Sequence, residues 1–434
     1  MFQYFRLYNV FSAEVILALA YVILIVGLSF PYGVPVFFPF LAMSFCFLFI
    51  KNLGKTCLSI KINTGILLFY FCILMYFLAL AFNQGKIFKL NNRDLKNIIS
   101  LLILSCILGP MVWEKYDRFV VFYHRLIVPV MSFVALVSLY NFYHLISGGN
   151  AILLGVEKSQ YAIGTSVSGS YNMFALGMYA GIFASASAFS RSRSTFFRTL
   201  CCLCVVLCTS AVLLAGSRRG WIVIAFLSFW VLFGLTLSFF RLVLDGGGRV
   251  FSYVKNNLGV LVVLFVLCTV GLVFLAGRTL DVEKPLELNK LVYRLSTLGA
   301  EQGGFRRAFS KRTDLWADAG ELIEAFNFFE LFLGSGFEFF QFYGRKSGAG
   351  ADSEADPHNF IISAMLYSGL IGCVVMVGLI SLTLFRLFRK REKYGIDFLL
   401  LYVTALVFTI TGAPSLFSVR LVPVMILTTF SVHD

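Results

Sequence analysis

One histidine at the edge of an apolar run is the residue of this sequence that best fits acid-base chemistry. His358 follows Pro357, precedes Asn359 and leads directly into a long apolar stretch. A neutral imidazole at such a boundary can accept a proton from a hydroxyl group near neutral pH. The alternative is an interfacial histidine that only hydrogen-bonds the start of a helix. Because the chain has only 4 His and this one follows a long polar segment, we predict a catalytic base.

Two adjacent arginines form the second candidate site. Arg218 and Arg219 lie in the run Ala215-Gly-Ser-Arg-Arg-Gly-Trp221, between two apolar stretches. Charges at such positions are costly in lipid and seek anionic partners, and the planar guanidinium binds phosphate through two parallel hydrogen bonds. The competing interpretation is that both side chains only reach towards the membrane interface beside Trp221. We predict a phosphate site.

A third basic cluster precedes a predicted helix. Arg312 lies near Arg306, Arg307 and Lys311, where one cation could reach a second phosphate while the others face water. No spacing of Cys, His and Asp indicates a metal site, and neither a Walker nor a dinucleotide-binding glycine pattern is present. The cysteines fall almost entirely in apolar runs and predict no disulfide framework. We therefore predict neither a metal nor a cofactor.

The elements that position these residues are predicted to be membrane helices. The 434-residue chain is 59% hydrophobic and 13% charged, which excludes an ordinary soluble protein. Apolar windows of about 17–25 residues, long enough to cross a bilayer as a helix, recur about twelve times, and one of them covers 358–385. We predict an all-α polytopic membrane protein with about 12 transmembrane helices.

The distribution of Lys and Arg orients these helices. Basic residues concentrate in alternate short loops, which predicts that both termini are cytoplasmic. One loop disagrees, because Lys86, Lys89, Arg93 and Lys96 fall on the outer side in this orientation. The net charge of +14 then belongs to cytoplasmic loops and to contacts with anionic membrane lipids, so no nucleic-acid partner is predicted. The predicted divisions are N-terminal transmembrane helices at 1–164, central transmembrane helices with Ser217, Arg218 and Arg219 at 165–277, a large outer loop at 278–357 and C-terminal transmembrane helices at 358–434.

The large loop contains a pattern typical of an amphipathic helix. Six apolar residues recur at helical spacing, and four acidic residues occupy the other face. The apolar residues are Leu315, Trp316, Ala319, Leu322, Ile323 and Phe326; the acidic ones are Asp314, Asp318, Glu321 and Glu324. We predict a helix that rests on the membrane surface or on the helix bundle, followed by a break at Gly334-Ser-Gly336.

Three blocks of the sequence resemble the superfamily of bacterial O-antigen ligases and polymerases. They are Ala215-Gly-Ser-Arg-Arg-Gly-Trp221, Arg312-Thr-Asp-Leu-Trp316 with Leu333-Gly-Ser-Gly-Phe337, and Pro357-His-Asn-Phe360 leading to Ser368-Gly-Leu-Ile-Gly372. The resemblance covers about residues 165–390. It implies a GT-C-like membrane fold and a glycosyltransferase that uses a polyprenyl-diphosphate-linked glycan at the periplasmic face of the bacterial inner membrane.

The resemblance also implies roles for individual residues. Arg218 follows the serine as the family pattern expects, and Arg219 is an added charge that could share or replace its role. Arg312 matches the arginine of the loop, so these three residues are expected to bind the substrate diphosphate. His358 matches the catalytic histidine of the His-Asn pair, and Asn359 is its possible support.

The activity implied by the resemblance is that of an O-antigen ligase. Such an enzyme transfers glycan from undecaprenyl diphosphate to a sugar hydroxyl of lipid A-core, and we expect the transfer to be metal-independent and inverting. The alternative within the superfamily is a repeat-unit polymerase, which presents the same blocks. A membrane transporter is disfavoured because no internal repeat is evident. A scaffold without catalytic activity would leave His358 dispensable.

Overall fold

The computed structural model describes residues 12–29, 38–46, 63–81, 92–105, 116–146, 171–215, 217, 219–227, 304–336, 357, 359–410 and 422–432. Within these ranges the regular secondary structure is helical, and no strand occurs. The chain is therefore an all-α protein in the part that the structure describes. This confirms the class expected from its composition.

Where the connecting residues are described, the connections between consecutive helices are short. The helices are α1 (Ala13–Ser29), α2 (Thr64–Ala81), α3 (Asn92–Ile103), α4 (Tyr116–Ile146), α5 (Tyr171–Arg191), α6 (Thr195–Leu214), α7 (Gly304–Glu324), α8 (Phe328–Leu333), α9 (Phe360–Arg389), α10 (Arg391–Tyr394), α11 (Ile396–Ile410) and α12 (Val422–Val432). Residues 38–46 and 219–227 are also helical.

Several of these helices have the length and composition of membrane spans. Among the described residues, the 4 long apolar helices are Tyr116–Tyr143, Asn172–Arg191, Thr195–Leu214 and Phe360–Arg389, and shorter apolar helices occur at Glu14–Gly27, Thr64–Ala79 and Ile396–Phe408. A helix satisfies its own backbone groups inside lipid, which explains why an apolar chain adopts this structure. The protein is thus a helical membrane protein. The total of about twelve spans, the cytoplasmic termini and the four predicted divisions stay predictions.

The chain divides into two compact units: residues 1–27, 32–123 and 300–434 form the first, and residues 28–31 and 124–299 form the second. In the first unit α9 is central, because α2, α8, α11 and α12 all pack against it. Arg386 Nη1 donates to Ser431 O at 2.8 Å, and Ser431 Oγ donates to Thr383 Oγ1 at 3.3 Å. These bonds fasten α12 to α9 between otherwise apolar faces.

The backbone of α9 is broken at Gly369, where φ is 63° and ψ is −165°. Cys373 Sγ lies 3.9 Å from Ile361 O, although residues twelve positions apart in a straight helix are separated by about 18 Å along the axis. The parts before and after Gly369 are therefore folded towards each other. The span predicted at 358–385 is therefore observed as the apolar helix Phe360–Arg389, with a break at Gly369 that the sequence did not predict.

Ser335, which follows α8, hydrogen-bonds to the α9 backbone next to the break. Ser335 donates to Leu366 O through its backbone N at 2.9 Å and through its Oγ at 3.2 Å, so another part of the chain satisfies this carbonyl, as membrane helices require. A Cβ on Gly334 (φ 79°) would come within 2.4 Å of the α9 backbone, and one on Gly369 within 2.4 Å of the α8 backbone. Only glycine allows both the positive φ and this approach.

Replacing Gly334 with alanine is expected to destabilise the protein by about 3 kcal/mol or more, because the new Cβ adds strain at a positive φ and collides with the α9 backbone. The melting temperature of the detergent-solubilised protein measures this. Gly320→Ala and Gly378→Ala are matched controls, since a Cβ at either glycine meets nothing within 4 Å. A Gly334→Ala protein that melts with these controls would contradict the close backbone contact.

The amphipathic helix predicted in the large loop is observed as part of α7, except that Phe326 lies beyond the end of α7 at Glu324. Ala319 is buried and the other five apolar residues of the pattern are half-buried, whereas Asp314, Glu321 and Glu324 are exposed. Gly334 ends α8 as its C-cap, which confirms the predicted break. The sequence pattern did not reveal α8 as a separate helix.

In the second unit α5 packs closely against α6 through small residues. A Cβ on Gly181 of α5 would lie 3.2 Å from Cys208 Sγ of α6 and 2.8 Å from Met131 Cβ of α4, so glycine favours the close approach of α5 to both helices. Cys204 Sγ lies 3.9 Å from Gly181 O, and Cys208 Sγ lies 3.7 Å from Met131 O. These thiols act as small buried groups with weak donors, the usual behaviour of free cysteine in a core.

Candidate functional site

The predicted site residues fall in different parts of the described structure. Arg218 and His358 lie outside the described residues. Arg219 belongs to the helical segment 219–227 of the second unit, and its side chain is half-buried. In the first unit, the backbone of Arg312 belongs to α7 and Asn359 immediately precedes α9.

Ser217 caps the helix that carries Arg219. Its Oγ accepts a hydrogen bond from Gly220 N at 3.1 Å, and its carbonyl oxygen accepts one from Trp221 N at 2.9 Å. This is the hydrogen-bond pattern of an N-cap residue. The Ser217 side chain is 0% exposed. Arg219 therefore lies in the first turn of a helix whose start is fixed by a buried serine.

Ser217 and Gly220 form the start of this helix, called the capped corner, and two residues of α5 hydrogen-bond to them. Ser217 Oγ donates to Asn172 Oδ1 at 2.9 Å, and the Tyr179 hydroxyl donates to Gly220 O. Because the hydroxyl proton of Ser217 is engaged by Asn172, its lone pair is directed at Gly220 N. A Cβ on Gly220 would lie 2.8 Å from Val212 Cγ1, so this position also needs a residue without a side chain.

The position of Arg219 at a helix start is compatible with the predicted phosphate site. A helix N-terminus carries roughly half a positive charge and commonly takes anionic ligands such as phosphate. That Arg219 binds phosphate stays a prediction. Among the described residues, no cluster of His, Cys, Asp or Glu could hold a metal ion.

Replacing Ser217 with alanine tests how firmly the corner is held. We expect a loss of about 2 kcal/mol of unfolding free energy, because the cap is lost and the Asn172 oxygen loses its donor. Ser194→Ala is the matched control: Ser194 caps α6 through one bond of 3.4 Å and is half-buried. Chemical denaturation should rank Ser217→Ala as the more damaging change, and the reverse order would argue against the buried network.

A second set of contacts lies at the start of α9. Asn359 Oδ1 accepts hydrogen bonds from the backbone N of the residues two and three positions later, at 3.0 and 3.3 Å. Trp316 Nε1 donates to Pro357 O at 3.0 Å, so α7 is tied to the residue that directly precedes His358. Asn359 is therefore the N-cap of α9, and its support of His358 stays a prediction.

The sequence predicted no hydrogen-bonding role for four residues that fix these two helix starts: Asn172, Tyr179, Ser217 and Trp316, of which the last two lie in the motif blocks. The serine could have been found, since a Ser before a helical run is an N-cap signal. The others could not, because Asn172 is 45 residues from its partner, and Tyr179 and Trp316 are each 41 residues from theirs. Spacing along the chain gives no indication of such contacts.

Comparison with known proteins agrees with the resemblance seen in the motif blocks. Residues 203–377 match the family described as O-antigen ligase. The matched segment begins within α6 and ends within α9, so it contains the capped corner, α7, α8 and all five predicted site residues. No curated protein matches the chain. Over residues 203–377, the chain is therefore similar to the O-antigen ligase family.

Proposed function

We propose that this protein is an O-antigen ligase of the bacterial inner membrane. It transfers glycan from undecaprenyl diphosphate to a sugar hydroxyl of lipid A-core at the periplasmic face. The observation that carries this proposal is the family match at residues 203–377. That segment includes every residue to which we assign a chemical role.

In this proposal the arginines bind the diphosphate of the donor. As the glycosidic bond breaks, negative charge accumulates on the diphosphate oxygens, and fixed guanidinium groups stabilise that charge. Arg218 and Arg219 supply these groups at the corner capped by Ser217, and Arg312 supplies another from α7. The N-cap bond supports this role because it fixes the backbone from which Arg219 extends.

His358 acts on the acceptor in the same proposal. Its imidazole takes the proton of the acceptor hydroxyl as the hydroxyl oxygen attacks the anomeric carbon. The bond between that carbon and the diphosphate oxygen breaks, and the bonding electrons leave with undecaprenyl diphosphate. A single displacement of this kind inverts the anomeric configuration. Since the guanidinium groups carry the charge of the leaving group, we expect transfer to persist in the presence of EDTA.

A repeat-unit polymerase is the second candidate, because the superfamily contains both activities. The two differ only in acceptor: the polymerase adds glycan to another lipid-linked repeat. Ligase is preferred because one predicted outer loop dominates and the chain length suits that activity. A transporter is less favoured, since the family match is to transferases.

The decisive experiment offers purified protein two acceptors in parallel. Undecaprenyl-diphosphate-linked glycan is the donor, and lipid A-core and a second lipid-linked repeat are the acceptors. Glycosylated lipid A-core is the result expected for a ligase. A lengthened lipid-linked product alone would indicate a polymerase, and no product with either acceptor would argue against both.

A further inference from the structure

The short helix α8 has almost no polar surface of its own. Its sequence is Phe-Phe-Glu-Leu-Phe-Leu, and none of its six residues is buried. Phe328 and Phe329 are 71% and 74% exposed, and their rings form an edge-to-face pair at 5.9 Å. Leu331 and Leu333 are also exposed. A patch of this kind requires a covering partner, because exposed large apolar groups in water promote association.

The one charged side chain of α8 is engaged at the end of the helix. Glu330 Oε2 accepts a hydrogen bond from Asn327 N at 3.0 Å, while Asn327 Oδ1 accepts one from Glu330 N at 3.0 Å. This reciprocal capping box keeps the carboxylate at the N-terminus of α8. The remaining five side chains are apolar, so most of the helix can enter an apolar medium without removing a free charge from water.

The position of α8 against α9 indicates what that medium is. Gly334, which ends α8, lies against the backbone break of α9, and the next α9 residues are Leu370 and Ile371, both exposed. Val374 and Val377 continue this exposed apolar surface along α9. A helix long enough to span a membrane exposes such residues to lipid. The apolar surface of α8 therefore adjoins a surface that faces acyl chains.

We propose that α8 inserts its Phe328–Phe329 side into the bilayer and that phospholipid acyl chains cover it. The sequence places this segment inside a polar connection between predicted spans, so the proposal adds a membrane contact within that connection. A second copy of the chain is a poorer fit, since a stable interface uses about 20–30 residues on each side and α8 offers six. The proposal stands independently of the proposed glycan transfer.

Photo-crosslinking from α8 tests this contact in the full-length protein. p-Benzoylphenylalanine replaces Phe329 in one variant and Phe328 in another, with the protein in vesicles of phosphatidylethanolamine and phosphatidylglycerol. The same group at Val374 of α9 is the positive control, and at the exposed Glu324 of α7 it is the negative control. Mass spectrometry of the irradiated protein identifies the adducts.

The expected result is phospholipid adducts at Phe328, Phe329 and Val374, with no adduct at Glu324. Two results would overturn the proposal. One is a covalent dimer of the chain from the α8 positions, which would identify a second copy as the partner. The other is an adduct at Val374 with none at either phenylalanine, which would place α8 in water. Neither result bears on whether the protein transfers glycan.

Discussion

The His358→Ala variant is expected to lose glycan transfer while it still inserts into the membrane and melts like the wild type. A general base contributes about 10²–10⁴-fold to a rate, so transfer should fall by at least two orders of magnitude. The assay with both acceptors measures this in purified protein. His358 is assigned from its place before α9, where Pro357 and Asn359 are each held by hydrogen bonds.

Two further variants separate chemistry from folding. His433→Ala removes an imidazole to which no role is assigned, and we expect it to keep full activity. Trp316→Phe keeps an aromatic ring but removes the donor to Pro357 O, so we expect a partial fall in kcat with KM for the donor unchanged. A fully active His358→Ala protein would refute the assignment of the base, whatever the two other variants do.

The fold class could be predicted from the sequence because it depends on composition. A chain with 59% hydrophobic residues has few alternatives to helices in lipid, since every backbone polar group must be satisfied within the chain. The amphipathic pattern from Leu315 to Phe326 likewise predicted α7, because helical periodicity is local. The fold class and α7 can both be predicted without knowing which segments of the chain contact each other.

The break in α9 could not be predicted, because it depends on two distant segments. The window around Gly369 is continuously apolar, and a glycine within a membrane helix is common. The conformation at Gly369 depends on the close approach of Gly334 to the α9 backbone and on the hydrogen bond that Ser335 donates to Leu366 O. Neither residue carries a local signal of this pairing, although both belong to motif blocks that the resemblance singled out.

In the candidate site, too, some features could be predicted from the sequence and others depend on distant contacts. The candidate residues and their order could be identified from sequence alone, since they belong to the motif blocks that carry the family resemblance. How the backbone is held could not, because Asn172 and Tyr179 reach the corner from α5. The corner is thus held by tertiary contacts, and its binding of phosphate, which the family resemblance implies, stays a prediction.

Replacing both Arg218 and Arg219 with glutamine is the other change from which we expect a large effect. Removing one donor from a site that stabilises developing charge costs about 10²–10³ in kcat, so the double variant should lose at least that much. Arg198→Gln is the matched control from the same unit: its guanidinium lies 4.3 Å above the Phe189 ring, on an exposed surface. We expect this control to retain activity.

Single lysine variants decide how the corner binds. Lysine keeps the positive charge but lacks the planar fork that holds two phosphate oxygens at once. If Arg218 makes that paired contact, Arg218→Lys will reduce kcat/KM for the donor well below the Arg219→Lys value, and the opposite order assigns the contact to Arg219. Wild-type kinetics in both variants and in the double glutamine variant would mean that these side chains only reach the membrane interface. In that case the Ser217 cap would serve the fold alone.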